Sequence, residues 1–126
     1  MKSIVLVGFF MVCAVVYSQP IQSTTMYVER NEFQLKFGAS KEALPMWRGY
    51  LDKVKARDKS IHARLLTDVS GPAYTMVLEI YYSSFAEAEP SQCRLTHQTD
   101  WKEFYDRFIP LCERSSRTYY KLQTEM

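Results

Sequence analysis

Apolar and polar residues alternate along the chain from Tyr27 to Gly38. One side of the alternation carries Phe33, Leu35 and Phe37, and the other side carries polar residues: Arg30, Glu32, Gln34 and Lys36. A period of two residues is typical of a half-buried β-strand. The pattern therefore predicts a first strand whose apolar side faces a core.

A helical spacing follows this strand. Apolar residues recur there at intervals of three and four: Leu44, Trp47, Leu51 and Val54. Ser40 can cap such a helix through its hydroxyl oxygen, and Pro45 predicts a kink or a later start. We expect one amphipathic helix over this segment.

Two β-rich runs come next, at 61–69 and 73–82, joined by the sequence Ser-Gly-Pro-Ala. Their register follows from the requirement that apolar residues share the side that faces the helices. The register that meets this requirement has four pairs: Ala63 with Ile80, Arg64 with Glu79, Leu65 with Leu78, and Leu66 with Val77. A slip of one residue would turn the polar side of the hairpin towards the helices.

The second half of the chain predicts a short helix, a longer helix and a closing strand. Ser84 and Glu87 have the spacing of a capping box, but Pro90 limits the helix that they would open. Asp100 and Glu103 repeat this spacing at the start of an aromatic stripe: Trp101, Phe104, Tyr105, Phe108 and Ile109. The stripe predicts core packing, with an aromatic ligand cleft as the alternative. Residues 115–122 predict the final strand.

The order of elements is that of the ferredoxin-like βαββαβ fold, an α+β class with a four-stranded antiparallel sheet. Both helices then cover one face of the sheet. The helix-facing side should collect apolar residues: Phe33, Leu35, Phe37, Ala63, Leu65, Met76, Leu78 and Ile80. The opposite face should collect a mainly polar set: Arg30, Glu32, His62, Arg64, Leu66, Val77, Glu79, Tyr81, Arg117 and Tyr119.

The chain begins with Lys2, an apolar run at 4–17 and the small residue Ser18. This is the layout of a secretory signal peptide, and the run is shorter than the roughly 18 to 20 apolar residues of a membrane-spanning helix. We expect a signal peptide at 1–18, an N-terminal segment at 19–26, one domain at 27–122 and a tail at 123–126. The mature protein is then periplasmic or extracellular, without stable membrane insertion. Tethering by an uncleaved N-terminal segment is the alternative.

Cleavage after Ser18 would remove Lys2 and leave 15 of the 16 basic residues against 14 acidic residues. A charge balance so close to neutral offers no clustered positive face for nucleic acid. The mature chain would keep Cys93 and Cys112, and a helix between them would hold them farther apart than the roughly 7 Å that a disulfide spans. We expect two free thiols, with a bridge through a sharp chain reversal as the alternative.

Three segments carry a resemblance to a known family: GASKEALPMWRGYL, ARLLTDVSGPAYTMVLEI and WKEFYDRFIPLCERSSRTYYKL. Over roughly residues 27–122 the chain resembles the small NIPSNAP-like members of the dimeric α/β-barrel superfamily, through packing residues rather than a catalytic motif. The resemblance implies a homodimer in which two open sheet faces meet and close a barrel. Superfamily members include cofactor-free monooxygenases of polycyclic phenols, haem degraders and many proteins without an assigned activity. The asparagine, tryptophan and histidine set of the haem degraders is not matched in this chain.

The candidate cavity of the barrel interior is formed by His62, Arg64, Glu79, Tyr81 and Tyr119. The histidine, the carboxylate and a phenol could make an acid/base cluster, but an ion pair between Glu79 and Arg64 explains the same residues without catalysis. A lone histidine without neighbours at ligand spacing is typical of a structural hydrogen bond. We therefore predict no metal site and no cofactor, and we assign no catalytic residues.

Leu66 and Val77 form an apolar spot on the otherwise polar face, and we expect the dimer contact there.

Three functions stay open for such a protein. The first is an exported homodimeric module for small-molecule binding or assembly, without an identifiable active site. The second is a cofactor-independent monooxygenase-like enzyme that acts on an aromatic or quinone-type small molecule. The third is an RNA-binding sheet, which shares the order of elements but conflicts with the near-neutral charge and the export leader.

Overall fold

The computed structural model describes residues 26–90 and 92–123. The expected signal peptide at 1–18, most of the N-terminal segment at 19–26 and the end of the tail at 123–126 lie outside the described residues. Six main elements follow one another: β1 Tyr27–Leu35, α1 Ser40–Arg57, β2 His62–Thr67, β3 Thr75–Tyr82, α2 Trp101–Phe108 and β4 Cys112–Lys121. Short 3₁₀ helices occupy Phe85–Ala88 and Ile109–Leu111. The predicted βαββαβ order is confirmed.

The four strands form one antiparallel sheet in the order β2, β3, β1, β4, so the predicted ferredoxin-like α+β fold is confirmed. The predicted hairpin register is also confirmed at all four pairs: Ala63 with Ile80, Arg64 with Glu79, Leu65 with Leu78, and Leu66 with Val77. The connection between β2 and β3 is longer than the predicted turn and covers residues 68–74. Gly71 supplies a positive φ of 106° within it, a conformation that glycine adopts without strain.

Both helices pack on one face of the sheet, and Trp47 of α1 is the centre of the core. Its side chain is 0% exposed. Its ring centroid lies 4.7 Å from that of Phe104 and 5.3 Å from that of Phe108. Phe33 of β1 meets Phe108 edge to face at 4.9 Å. The aromatic stripe of α2 therefore belongs to the core, as predicted, except that Ile109 follows the helix and is half-exposed.

Helix α1 runs through Pro45 without interruption over 18 residues. Ser40 is its first helical residue rather than its cap, so that prediction is wrong; the N-cap position belongs to Ala39. The buried stripe is also shifted from the predicted one, because Tyr50 is buried whereas Leu51 is only partly covered. Among the described residues, no helix is long and apolar enough to cross a membrane.

Phe37 lies outside the core, which corrects its predicted placement. It is 86% exposed, because β1 ends at Leu35 and the chain turns at Gly38, where φ is 77°. The alternation of the sequence continues past the last residue that the sheet holds. The Phe37 ring instead meets the ring of Tyr74 edge to face at 5.5 Å.

Tyr119 and Arg117 lie on the helix-facing side of β4, so their predicted placement on the opposite face is wrong. β4 begins at Cys112 instead of residue 115, and its register sets Tyr119 beside Glu29 and Arg117 beside Asn31. Both β1 residues are 5% exposed on the helix-facing side. The sequence of β4 gives no signal for this assignment, because polar residues occupy both of its faces.

Cys93 and Cys112 are free thiols, as predicted. The segment between them is less helical than expected, since residues 92–100 form turns before α2. The Cys93 sulfur lies 3.1 Å from the hydroxyl oxygen of Tyr82 in the core. Burial raises the pKa of the Cys112 thiol to about 11, so this thiol is protonated at neutral pH.

Candidate functional site

The sheet face opposite the helices, here called the open face, carries rows of side chains across all four strands. The registers define three rows from β2 to β4: His62, Tyr81, Val28 and Tyr120; Arg64, Glu79, Arg30 and Thr118; Leu66, Val77, Glu32 and Ser116. Four of the five predicted cavity residues therefore share this face. The fifth, Tyr119, lies on the other side and packs against Phe85 at 5.4 Å between ring centroids. Tyr120 takes the corresponding place on the open face.

Glu79 is the centre of a hydrogen-bonded group on the open face. Arg30 Nη1 donates to Glu79 Oε1 at 3.1 Å, and Tyr81 Oη donates to Glu79 Oε2 at 2.6 Å. The expected ion pair of Glu79 with Arg64 is therefore replaced by a pair with Arg30. Each carboxylate oxygen of Glu79 thus accepts a hydrogen bond from a neighbouring side chain of the open face.

Tyr81 is held as a hydrogen-bond donor. Burial first, and then the hydrogen bond to Glu79, raise the pKa of the Tyr81 phenol above its ordinary value. The guanidinium carbon of Arg64 lies 5.3 Å from the centroid of the Tyr81 ring, at cation–π distance. Among residues 26–90 and 92–123, Arg64 has no carboxylate partner, so its donors are available to solvent or a ligand.

His62 is exposed at the start of β2, where it pairs with Tyr81. The alternative acid/base cluster is formed only in part: Tyr81 donates to Glu79, but among the described residues His62 makes no hydrogen bond or ion pair with Glu79. Within the described part of the chain, no group of three or more His, Cys, Asp and Glu side chains could hold a metal ion.

Leu66 and Val77 pair across β2 and β3, as predicted, but they differ in accessibility. Leu66 is 39% exposed, whereas Val77 is 6% exposed and is thus covered within the single chain. Leu66 therefore presents most of the apolar surface of this row. A groove of about 630 Å³ runs beside the pair, with Glu32, Gln34 and Arg114 among its walls.

A cavity of about 520 Å³ lies between α1 and β2 at the edge of the open face, and we call it the edge cavity. Leu51, Val54 and Ile61 contribute to its apolar wall. The polar part of the wall consists of Lys55, His62, Arg64 and Tyr81. The volume and the apolar lining with a few polar groups are typical of small-molecule sites. The structure thus brings three predicted cavity residues together with a lysine that the sequence did not single out.

A buried polar cluster lies on the helix-facing side and was missed by the sequence analysis. Asn31 Nδ2 donates to Glu29 Oε1 at 2.8 Å, and Tyr82 Oη donates to Glu29 Oε2 at 3.0 Å. Arg117 Nε donates to Asn31 Oδ1 at 2.7 Å and lies 3.2 Å from Glu29 Oε1. Burial, and then Cys93 and Glu29, raise the pKa of Tyr82. The sequence did contain an indication of this cluster, because Glu29 and Asn31 occupy alternate positions on the same side of β1 as its apolar residues.

No protein-family model matches the sequence, and comparison with curated proteins gives no significant match. Solved structures do match. A NIPSNAP family protein of unknown function from Agrobacterium tumefaciens has a TM-score of 0.65 at 20% identity, over 79% of this chain and 90% of that chain. A NIPSNAP domain protein from Burkholderia xenovorans has a TM-score of 0.62 at 19% identity, over 75% of this chain and 91% of that chain. SnoaB, a cofactor-independent oxygenase from Streptomyces nogalater, has a TM-score of 0.61 at 14% identity, over 80% of this chain and 96% of that chain.

These similarities lie in the fold. The chain has the ferredoxin-like fold of the NIPSNAP proteins, and the resemblance seen in its packing residues is confirmed at that level. Identities of 14% to 20% carry no residue-level function from those proteins to this chain.

The buried cluster leads to a prediction about stability. We expect Arg117→Gln to lower the free energy of unfolding by about 1 to 2 kcal/mol, because the buried Glu29 carboxylate loses its cationic partner. The loss is not larger because Arg117 is half-exposed and solvent already weakens its interaction with Glu29. Urea unfolding at neutral pH measures the change. The matched control is Arg114→Gln, on the opposite face of the same strand, where we expect less than about 0.5 kcal/mol. Equal effects at the two positions would contradict a stabilising role for the cluster.

Proposed function

We propose that the protein is an exported homodimer that serves as a small-molecule binding or assembly module, without an identifiable active site. The edge cavity is the observation that carries this proposal. It combines an apolar wall with an ammonium, an imidazole, a guanidinium and a phenol. Glu79, the carboxylate next to Tyr81, is engaged by two hydrogen bonds. These groups can orient a ligand by donating hydrogen bonds, and nothing among them is an unengaged carboxylate or a thiol.

The dimer is proposed to form between two open faces. The described helices lie on the other side of the sheet, so this face is available to a second copy. Arg30 lies 3.1 Å from Glu79 and 3.3 Å from Glu32, so these three charges are paired within one chain and need no new partner on burial, whereas Arg64 has no such pair in the part of the chain that the structure describes. Leu66 adds an exposed apolar side chain to the same surface.

A monooxygenase-like enzyme is the second candidate function. The similarity in fold to SnoaB, a cofactor-independent oxygenase, favours it. His62 and Tyr81 in the edge cavity would be the polar groups nearest to an aromatic or quinone-type substrate. Nucleic acid is not proposed as a partner, because the arginine at the centre of the open face, Arg30, is neutralised by Glu32 and Glu79.

The dimer proposal predicts the effect of a charge at Leu66. We expect Leu66→Asp to convert a dimer into a monomer, because it places an uncompensated carboxylate in an apolar contact. Leu66 suits the test better than Val77, whose side chain is packed within the single chain. Light scattering coupled to size-exclusion chromatography gives the mass, and circular dichroism checks that the monomer is folded.

The matched control for this experiment is Ile109→Asp, since Ile109 is 40% exposed and lies after α2, in the helical layer. We expect this variant to stay dimeric. A dimeric Leu66→Asp protein would show that the open face meets water rather than a second subunit.

The choice between a binding module and an enzyme is tested by turnover. We expect the purified protein to leave phenolic and quinone compounds unchanged in air, because, of the described residues, no carboxylate lines the edge cavity to act as a base beside His62. Product analysis by mass spectrometry is the measurement. Turnover that His62→Ala abolishes would establish the enzyme in place of the binding module.

Export is tested at the N-terminus. We expect the mature protein to begin near Gln19, because the apolar run and Ser18 have the layout of a cleaved leader. N-terminal sequencing of protein isolated from its natural host gives the answer. A membrane-bound chain that still begins at Met1 would support the tethered alternative.

A further inference from the structure

The edge cavity has an excess of positive charge. Lys55 near the end of α1 and Arg64 in β2 both line it, and His62 lies beside Arg64 at the start of the strand. Of the described residues that line the cavity, none is an aspartate or a glutamate. An anionic ligand would therefore meet attractive charges without a competing carboxylate in the wall.

Arg64 is available to bind such a ligand because Glu79, the carboxylate opposite it, forms its hydrogen bonds with other residues. Glu79 lies directly opposite Arg64 in the hairpin, yet its oxygens accept hydrogen bonds from Arg30 and Tyr81. The Arg64 guanidinium rests over the Tyr81 ring at 5.3 Å. A guanidinium on an aromatic face keeps the edges that carry its N–H donors open to a carboxylate, which it can bind through two parallel hydrogen bonds.

The rest of the wall is apolar. Of its lining residues, Val54 is fully buried, and Leu51, Ile61 and Ala63 are partly buried. Burial of an apolar ligand body against these side chains is favourable, whereas a small inorganic anion would leave the same surface wetted. The ligand should thus carry both a negative group and an apolar part.

We infer that the edge cavity binds a monocarboxylate with an apolar body, the chemistry of a medium-chain fatty acid. The carboxylate lies between Arg64 and Lys55, and the hydrocarbon part lies against Leu51 and Val54. This inference rests on the proposed small-molecule binding and specifies its ligand class. The cavity wall comes from one chain, so the site does not need the second subunit.

Isothermal titration calorimetry with decanoate, below its micelle-forming concentration, tests the inference. We expect one decanoate per chain, and binding at least about tenfold weaker for decanol and for decyltrimethylammonium, which share the tail but lack the negative charge. Decanol that binds as tightly as decanoate, or decanoate that does not bind at all, would overturn the inference.

Variants locate the site. We expect Arg64→Gln and Lys55→Gln each to weaken decanoate binding by about tenfold and to leave decanol binding unchanged, because only the charged contact is lost. Lys53→Gln is the matched control on α1, since Lys53 is exposed and is not a wall residue. Unchanged affinity in both cavity variants, or an equal loss in Lys53→Gln, would show that decanoate binds elsewhere or without specificity.

The Leu66→Asp variant separates this inference from the dimer. If it becomes a monomer and still binds decanoate, the ligand site stands by itself as a property of one chain. A wild-type dimer that does not bind decanoate would instead contradict the proposed ligand class, and the proposed dimer would be unaffected.

Discussion

Packing of Trp47 against the sheet is the interaction on which the rest of the structure depends. The fully buried ring contacts Phe33 of β1 and the aromatic stripe of α2, which joins both helices to the same side of the sheet. Because side chains alternate along a strand, this contact turns every second residue of β1 and β3 away from the helices. Arg30, Glu79 and Tyr81 meet on the open face for this reason, although 49 or more positions separate the arginine from the other two.

The sequence was informative wherever one face of a strand is clearly apolar. In the hairpin of β2 and β3, a one-residue slip would bury polar residues, so the parity requirement predicted all four pairs. β4 offers no such requirement, because it is an edge strand whose residues are exposed on both sides. Which residues of β4 face the helices is set by the register with β1 and by the irregularity between Gln34 and Leu35. Tyr119 was therefore assigned to the wrong face, and the same ambiguity hid the partnership of Arg117 with Glu29.

The partner of Glu79 could not be read from the sequence for a different reason. Glu79 has an arginine directly opposite on each side, Arg64 in β2 and Arg30 in β1. Cross-strand charge pairs contribute only roughly 0.2 to 1 kcal/mol, so the sequence does not rank them. The position of each arginine in the sheet determines which one pairs with Glu79. β2 is an edge strand, whereas β1 lies between β3 and β4, where an arginine is shielded from water more fully. A small difference in solvation thus leaves Arg64 available at the edge.

The availability of Arg64 connects the two proposals for this face. Arg64 stands in the same row as Glu79 and Arg30, so a second open face would approach it, while the edge cavity exposes it to a ligand. Removing an unpaired guanidinium from water is costly, and a bound carboxylate would lower that cost by neutralising it. Linkage requires the effect to be reciprocal: if the ligand favours the dimer, the dimer binds the ligand more tightly by the same factor. An arginine released from its cross-strand neighbour is therefore the residue through which binding and assembly would stabilise each other.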